Sequence, residues 1–151
     1  MEIKLALCLP RDAASVPVSR QVLDGCLEFL GVTREIRTDI ALALSEACAN
    51  VIMHAAPADA YEVLARVRDG RCVIEVVNGG DGQPRDIPAP PRMPLNAEHG
   101  RGLQIMDAVV DDLRLTGNGL HGTTVHFEKV LRWQPGAPGE PLFSQAAAHG
   151  G

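Results

Sequence analysis

An α+β two-layer sandwich, a mixed and mostly antiparallel sheet with about three helices on one face, is the fold class predicted by two observations. Strand-like runs at 2–8, 61–68, 72–78, 113–116 and 122–131 surround segments at 13–30, 33–56 and 101–112 whose apolar residues recur at helical spacing. The chain has 151 residues, 46% of them hydrophobic, with mean hydropathy +0.02, which suits one globular domain with a buried core.

Each element has a local reason. Residues 2–8 (EIKLALC) alternate weakly and stop at Pro10, as an edge strand does. Residues 13–30 carry Val16, Val22, Leu23, Cys26, Leu27 and Leu30 at the spacing of an amphipathic helix, and Gly31 supplies the stop. The next helix starts near Thr33, whose hydroxyl can cap it, holds Glu35 in its first turn and runs to about Ala56, before Pro57. YEVLARVR (61–68) and CVIEVVN (72–78) form an antiparallel hairpin across Asp69-Gly70, a dipeptide that suits a type I′ turn. From Gly79 to His99 periodicity vanishes among five Pro and three Gly, and so long a loop in a compact domain is functional. Leu103, Ile105, Met106, Val109 and Val110 restore helical spacing over 101–112, and strands at 113–116 and 122–131 complete the sheet. Residues 1–133 thus form the domain, and 134–151, rich in Pro and Gly with little to bury, form a flexible tail.

Composition narrows the function classes. Fourteen Lys plus Arg against 19 Asp plus Glu give a net charge of −5, which argues against direct nucleic-acid binding. Lys4 and Lys129 are the only lysines, leaving neither a P-loop lysine nor a basic membrane-binding stretch. Cys8, Cys26, Cys48 and Cys72 lack Cys-x-x-Cys spacing, so each reads as a small buried hydrophobe rather than a zinc ligand or redox pair. No apolar stretch has the length of a signal-peptide core or a membrane span, and a cytoplasmic location is expected.

Three clusters carry candidate chemistry. Residues 40–56 (IALALSEACANVIMHAA) are apolar almost all round, as in a buried helix, so their few polar residues need a reason. Glu46, Asn50 and His54 lie at i, i+4 and i+8 on one face, beside Ser45. A carboxylate and an amide lining a cleft with a bound cation are satisfied there, and the alternative is a face meeting solvent or an internal arginine. A histidine such as His54 is, by itself, more often a hydrogen-bonded structural residue. The strand at 72–78 ends in Asn78-Gly79-Gly80-Asp81-Gly82, where backbone tolerates positive φ and close approach of a ligand. Gly100-Arg101-Gly102 opens the third helix, whose exposed N–H groups and positive dipole end suit a phosphate. Neither glycine cluster has Rossmann or P-loop spacing. Gly122-Thr123-Thr124-Val125 starts the last strand.

In this order the clusters resemble the GHKL (Bergerat-fold) ATPase and kinase superfamily and, within it, the RsbW/SpoIIAB-like anti-sigma-factor serine kinases. SEACANVIMHA resembles the N box, VVNGGDG the first glycine box, HGRGLQIMDAVVD the second and GTTVHFEK the closing Gly-Thr segment, over about residues 3–131. The resemblance implies the Bergerat, or histidine-kinase-like ATPase, fold, with ATP and Mg²⁺ as ligands. By position, Asn50 would coordinate Mg²⁺ and Glu46 would accept the proton of an attacking hydroxyl. Gly80 and Gly82 would admit the nucleotide to the backbone, and residues 83–99 would close as a lid. Gly100, Arg101 and Gly102, with the amides of the helix they open, Leu103 included, would hold the phosphates, and Thr123 would support the adenine pocket. Asn78 stands where the superfamily has an Asp that accepts from the adenine amino group; its amide can accept from N6 and donate to N1, or mark weakened nucleotide binding. Neither the phosphoacceptor hairpin of a sensor histidine kinase nor the transducer domain of gyrase- or MutL-like ATPases finds room here. The implied partners are a sigma factor held inactive and an anti-anti-sigma (STAS) protein phosphorylated on Ser or Thr, with a homodimer suggested and Arg20 near the surface that contacts both. The alternative is a degenerate, non-catalytic binding module that sequesters a partner with weak or no nucleotide binding.

Overall fold

The computed structural model describes residues 1–53, 60–78, 100–118 and 122–143. In chain order the elements are β1 (Ile3–Pro10), α1 (Ser15–Leu30), α2 (Arg34–Met53), β2 (Ala60–Arg68), β3 (Arg71–Asn78), α3 (Gly100–Val109), β4 (Asp112–Asn118), β5 (Gly122–Val130) and the single turn α4 (Glu140–Phe143). The strands form one sheet in the order β1-β2-β3-β5-β4, with β1 at an edge as expected. Each of the four pairings is antiparallel, narrower than the mixed sheet the sequence allowed. Asp69 (φ 49°) and Gly70 (φ 74°) make the β2–β3 turn left-handed at both central residues, the requirement of type I′.

Register turns the strand sequences into two different surfaces. Leu5, Ala65, Ile74, Phe127 and Leu113 lie side by side across all five strands, and Leu7, Val63, Val76, Val125 and Leu115 form the next row. These rows face the helices and constitute, with Leu23 and Leu27 of α1, Ile40 and Leu44 of α2, and Leu103 and Met106 of α3, one hydrophobic core. Side chains alternate across a strand, so the remaining positions project to the other face. There Glu75 and His126, each 2% exposed, are direct cross-strand neighbours.

That opposite face is held by charge pairs. His126 Nε2 lies 2.9 Å from Glu128 Oε2 and its Nδ1 lies 4.0 Å from Glu75 Oε2. Arg66 reaches Glu75 at 3.4 Å, Arg71 reaches Glu128 at 3.6 Å and Arg114 reaches Asp112 at 2.9 Å. Donor atoms of Asp112, His126 and Glu128 cluster within 4.8 Å, a grouping a metal could use, but three guanidiniums already balance the three carboxylates of the network. Burial alone would lower the His126 pKa; the Glu75 and Glu128 carboxylates outweigh it and hold the value above that of an ordinary histidine.

Helix ends depart from the sequence reading at one point. Gly31 adopts φ 90° and closes α1, its N–H donating to Glu28 O and that of Val32 to Leu27 O. Thr33 does not cap α2: its Oγ1 is buried without a hydrogen-bond partner. The preceding backbone is instead tied to the far end of the chain: Val32 bridges Trp133 and Thr33 N–H donates to Arg132 O at 2.9 Å. The expected end of α2 near Pro57 lies outside the described residues.

Two further expectations are corrected. Cys48 and Cys72 are buried, Cys26 is partly buried, but Cys8 is exposed, because even-numbered positions of edge strand β1 project away from the helices. Residues 134–143, expected within a flexible tail, are docked. Gln134 N–H donates to Gly31 O at 2.7 Å and Gly139 N–H to Leu30 O at 2.9 Å, while Gly70 N–H donates to Phe143 O. Phe143, 2% exposed, joins the core, and a Cβ on Gly31 would strike Ala137. Composition understated this segment because one aromatic and a few backbone hydrogen bonds suffice to seat a short turn. Residues 144–151 lie outside the described set.

Phe143→Ala should therefore destabilise the fold by about 3 kcal/mol in urea denaturation, the usual cost of emptying a core aromatic site; an effect under about 0.5 kcal/mol would return the segment to the tail. For His126 the raised folded pKa means stability complete below the unfolded value near ~6.5 and lost as pH rises through the folded value. Stability measured against pH should decline on that alkaline side, and His126→Gln should remove that part of the decline.

Candidate functional site

Packing of α2 determines where its polar residues go. Ile36, Ile40, Ala43, Leu44, Ala47, Cys48 and Val51 are buried, a stripe at helical spacing that faces the sheet and the flanking helices. Glu46 and Asn50 are then left half-buried on a flank of the same helix. The Glu46 carboxylate points at the amino end of α3: a Cβ built on Gly102 would lie 2.7 Å from Glu46 Oε2. Leu103 and Met106 anchor α3 in the core, and Lys129 Nζ holds its other end, 2.6 Å from Val109 O and 3.0 Å from Asp39 Oδ2.

The sheet end beside this junction is built from non-local contacts. Pro10 pairs with Ala60 and Tyr61 with Asn78, so β1, β2 and β3 share one end of the sheet. Arg11, just past β1, donates from Nη2 to Ile52 O and fastens the last turn of α2, which follows Asn50, to that end. Asn78 shares the helix-facing side of its strand with Ile74 and Val76. Its Oδ1 is buried and has no hydrogen-bond partner among the described residues. Val77 pairs with Thr124, which brings Thr123 to the same sheet end.

Below lies a buried polar seam. Tyr61 OH is 2.6 Å from Ser15 Oγ, which donates to Asp12 O at 2.7 Å, and Ser19 Oγ lies 3.7 Å from Cys48 Sγ. Burial pushes the Cys48 thiol up to about 11 and the Tyr61 hydroxyl up to about 12, so both stay neutral at physiological pH. Burial likewise lifts Cys72 to about 12. These groups brace α1 and α2 against β2; they are not nucleophiles.

The structure thus brings Glu46 and Gly102 together, places Asn50 one turn further along α2, and sets Asn78 and Thr123 at the adjoining sheet end. Arg101 is exposed on the first turn of α3, while the Leu103 side chain is buried in the core, leaving its backbone as its contribution to a site. Gly100 is the first residue of α3. His54, Gly80, Gly82 and the 83–99 segment lie outside the described residues. Arg20 is half-buried, donating to Ser45 Oγ at 3.2 Å, and lines an open groove of about 600 Å³ between α1 and α2 with Asp24, Glu28, Arg34 and Arg37. Sequence reasoning missed Arg11, Tyr61 and Ser15: the Ser15–Tyr61 partners lie 46 residues apart and Arg11–Ile52 41 apart, and no local pattern announces such pairs. Among the described residues, no helix is long and apolar enough to cross a membrane.

Comparisons with known proteins identify the family to which this fold belongs. Residues 9–129 match the family model described as the histidine kinase-like ATPase domain. The chain is 27% identical over 153 residues to the serine-protein kinase RsbW of Bacillus thuringiensis (strain Al Hakam), with 92% of each chain covered. The serine-protein kinase RsbW of Bacillus mycoides (strain KBAB4) matches to the same degree. The fold also resembles the crystal structure of the RsbU and RsbW domains of Rv1364c from Mycobacterium tuberculosis, with TM-score 0.61 and 19% identity, covering 85% of this chain and 32% of that one. With the helix bearing Glu46 and Asn50, the strand end at Asn78 and the glycine-opened α3 all inside the matched span, the chain belongs to the histidine kinase-like ATPase domain family.

Proposed function

We propose that this chain is an ATP- and Mg²⁺-dependent protein serine/threonine kinase of the anti-sigma-factor type, which phosphorylates a Ser or Thr of a STAS partner and sequesters a sigma factor. The observation that carries the reading is the buried, unpartnered Oδ1 of Asn78. An orphaned acceptor costs about 1–3 kcal/mol, and the amino group of adenine is a donor that relieves it. The Asn amide retains the acceptor an Asp would offer and adds an NH₂ that can donate to the ring nitrogen. The kinase relatives, similar over nearly their whole length, support the same class.

The chain's own residues fit phosphoryl transfer, a reaction that rests on positioning and charge neutralisation. Glu46, half-buried at the amino end of α3, would take the proton of the attacking Ser or Thr hydroxyl. N–H groups in the first turn of a helix have no intrahelical acceptor, so those of Gly100, Arg101, Gly102 and Leu103 would face the phosphates, with Arg101 free to approach from the solvent side. Asn50, one turn from Glu46, would hold Mg²⁺ through its amide oxygen; the bound ion neutralises phosphate charge. Gly80, Gly82, Thr123 and a lid at 83–99 complete the proposed nucleotide site. Arg20 and the α1–α2 groove, lined by charges of both signs, would receive the protein partners, and the chain would act in the cytoplasm as a homodimer.

Incubated with labelled ATP, Mg²⁺ and a STAS protein, the chain should transfer phosphate, and Glu46→Ala should slow transfer at least about 100-fold. Partner binding without any transfer by the wild type would instead establish the non-catalytic module. Asn78→Ala should weaken ATP binding about tenfold in a nucleotide titration, since the adenine amino donor loses its buried acceptor. Arg20→Ala should weaken partner pull-down while ATP affinity stays at the wild-type value.

A further inference from the structure

Gly102 occupies the third position of α3, and a Cβ there would meet the end of one side chain: it would lie 2.7 Å from Glu46 Oε2 and 3.7 Å from Glu46 Cδ, so the carboxylate would have to leave its present place. Glycine is not required by the backbone, because the positive-φ glycines among the described residues are Gly31, Gly70 and Gly136. In a helix, glycine is a poorer choice than alanine. The missing Cβ therefore serves the neighbour. Neither helix can give way readily: α3 is tied down by Leu103, Met106 and the Lys129 bond to Val109 O, and α2 by Leu44, Ala47 and Cys48, all fully buried. The carboxylate would have to move. It now rests at the positive end of the α3 dipole, which favours an anion and is the same end that suits phosphate.

We infer that Gly102 is a positioning residue: its lack of a side chain forms the seat that holds the Glu46 carboxylate against the amino end of α3. Proton acceptor and phosphate-binding turn are thereby held as one unit. This role is separate from admitting a phosphate to the backbone. Its catalytic consequence rests on the kinase reading; the seat itself rests on the packing of α2 against α3.

Four proteins decide it: wild type, Gly102→Ala, Glu46→Ala and the double variant, compared by thermal unfolding without nucleotide. Gly102→Ala should lower the midpoint when Glu46 is present and raise it in the Glu46→Ala background, where only the better helix propensity of alanine remains. A rise in both backgrounds, or a fall in both, would overturn the seat. Should Gly102→Ala alone fail to fold, a folded double variant with a midpoint at or above that of Glu46→Ala supports the inference, and an unfolded double variant overturns it. In the phosphotransfer assay Gly102→Ala should lower kcat about 100-fold, the scale of a small misplacement of a reacting group, and change kcat more than the KM for ATP. Loss of ATP affinity with kcat retained would overturn the positioning role. Absence of transfer by the wild type would remove the kinase reading and leave the midpoint reversal to decide the seat.

Discussion

Burial of one stripe of α2 against the middle of the sheet is the constraint from which the rest of the structure follows. Ala43 and Ala47 are fully buried, and such small side chains let the helix approach its neighbours closely, while Ile40, Leu44 and Val51 fill the space above the Ile74–Phe127 and Val76–Val125 rows. With that stripe held, the 3.6-residue period leaves Glu46 and Asn50 no freedom of direction. They emerge on a flank where α3 packs, and the absence of a side chain at Gly102 lets the Glu46 carboxylate come up to the first turn of that helix. Repacking the α2 core would therefore displace the candidate base as well as weaken the fold.

The sheet divides labour between its faces. Toward the helices it is apolar until its end, where Asn78 interrupts the pattern with an acceptor that has no hydrogen-bond partner among the described residues. Buried polar groups are normally satisfied, and an exception of this kind at a strand terminus is what the proposed nucleotide would complete. Away from the helices, Glu75 and His126 are buried and Glu128 partly so, and salt bridges to Arg66 and Arg71 and between His126 and Glu128 tie them together. Salt bridges join the far-face set, although Glu75 Oε2 and His126 Nδ1, like Asn78 Oδ1, lack a hydrogen-bond partner among the described residues; what sets Asn78 apart is its place on the helix-facing side at a strand end.

Much of this was legible locally. Asp69-Gly70 forced the β2–β3 register through its turn, and once that register is set every alternate residue of both strands is assigned a face. Gly31 marked the end of α1 for the same kind of reason, a left-handed residue at a helix terminus. Glu46 and Asn50 announced themselves as polar interruptions of an apolar helix. Thr33 misled because a capping residue type does not fix its side-chain rotamer, and here Oγ1 is buried without a hydrogen-bond partner among the described residues. Cys8 misled because hydrophobic character says nothing about which side of an edge strand a residue occupies.

Sequence alone, then, determined the five strands, the three long helices and the β2–β3 hairpin register, since these depend on dihedral preferences and periodicities within a few residues. Only the tertiary structure decided that Glu46 meets Gly102, that the Asn78 acceptor is sealed from water without a partner, and that Phe143 closes the core beneath the Gly70 turn. Each of these joins groups from separate elements. Their energies come from desolvation and close packing, which are properties of what surrounds an atom and have no signature in the chain beside it.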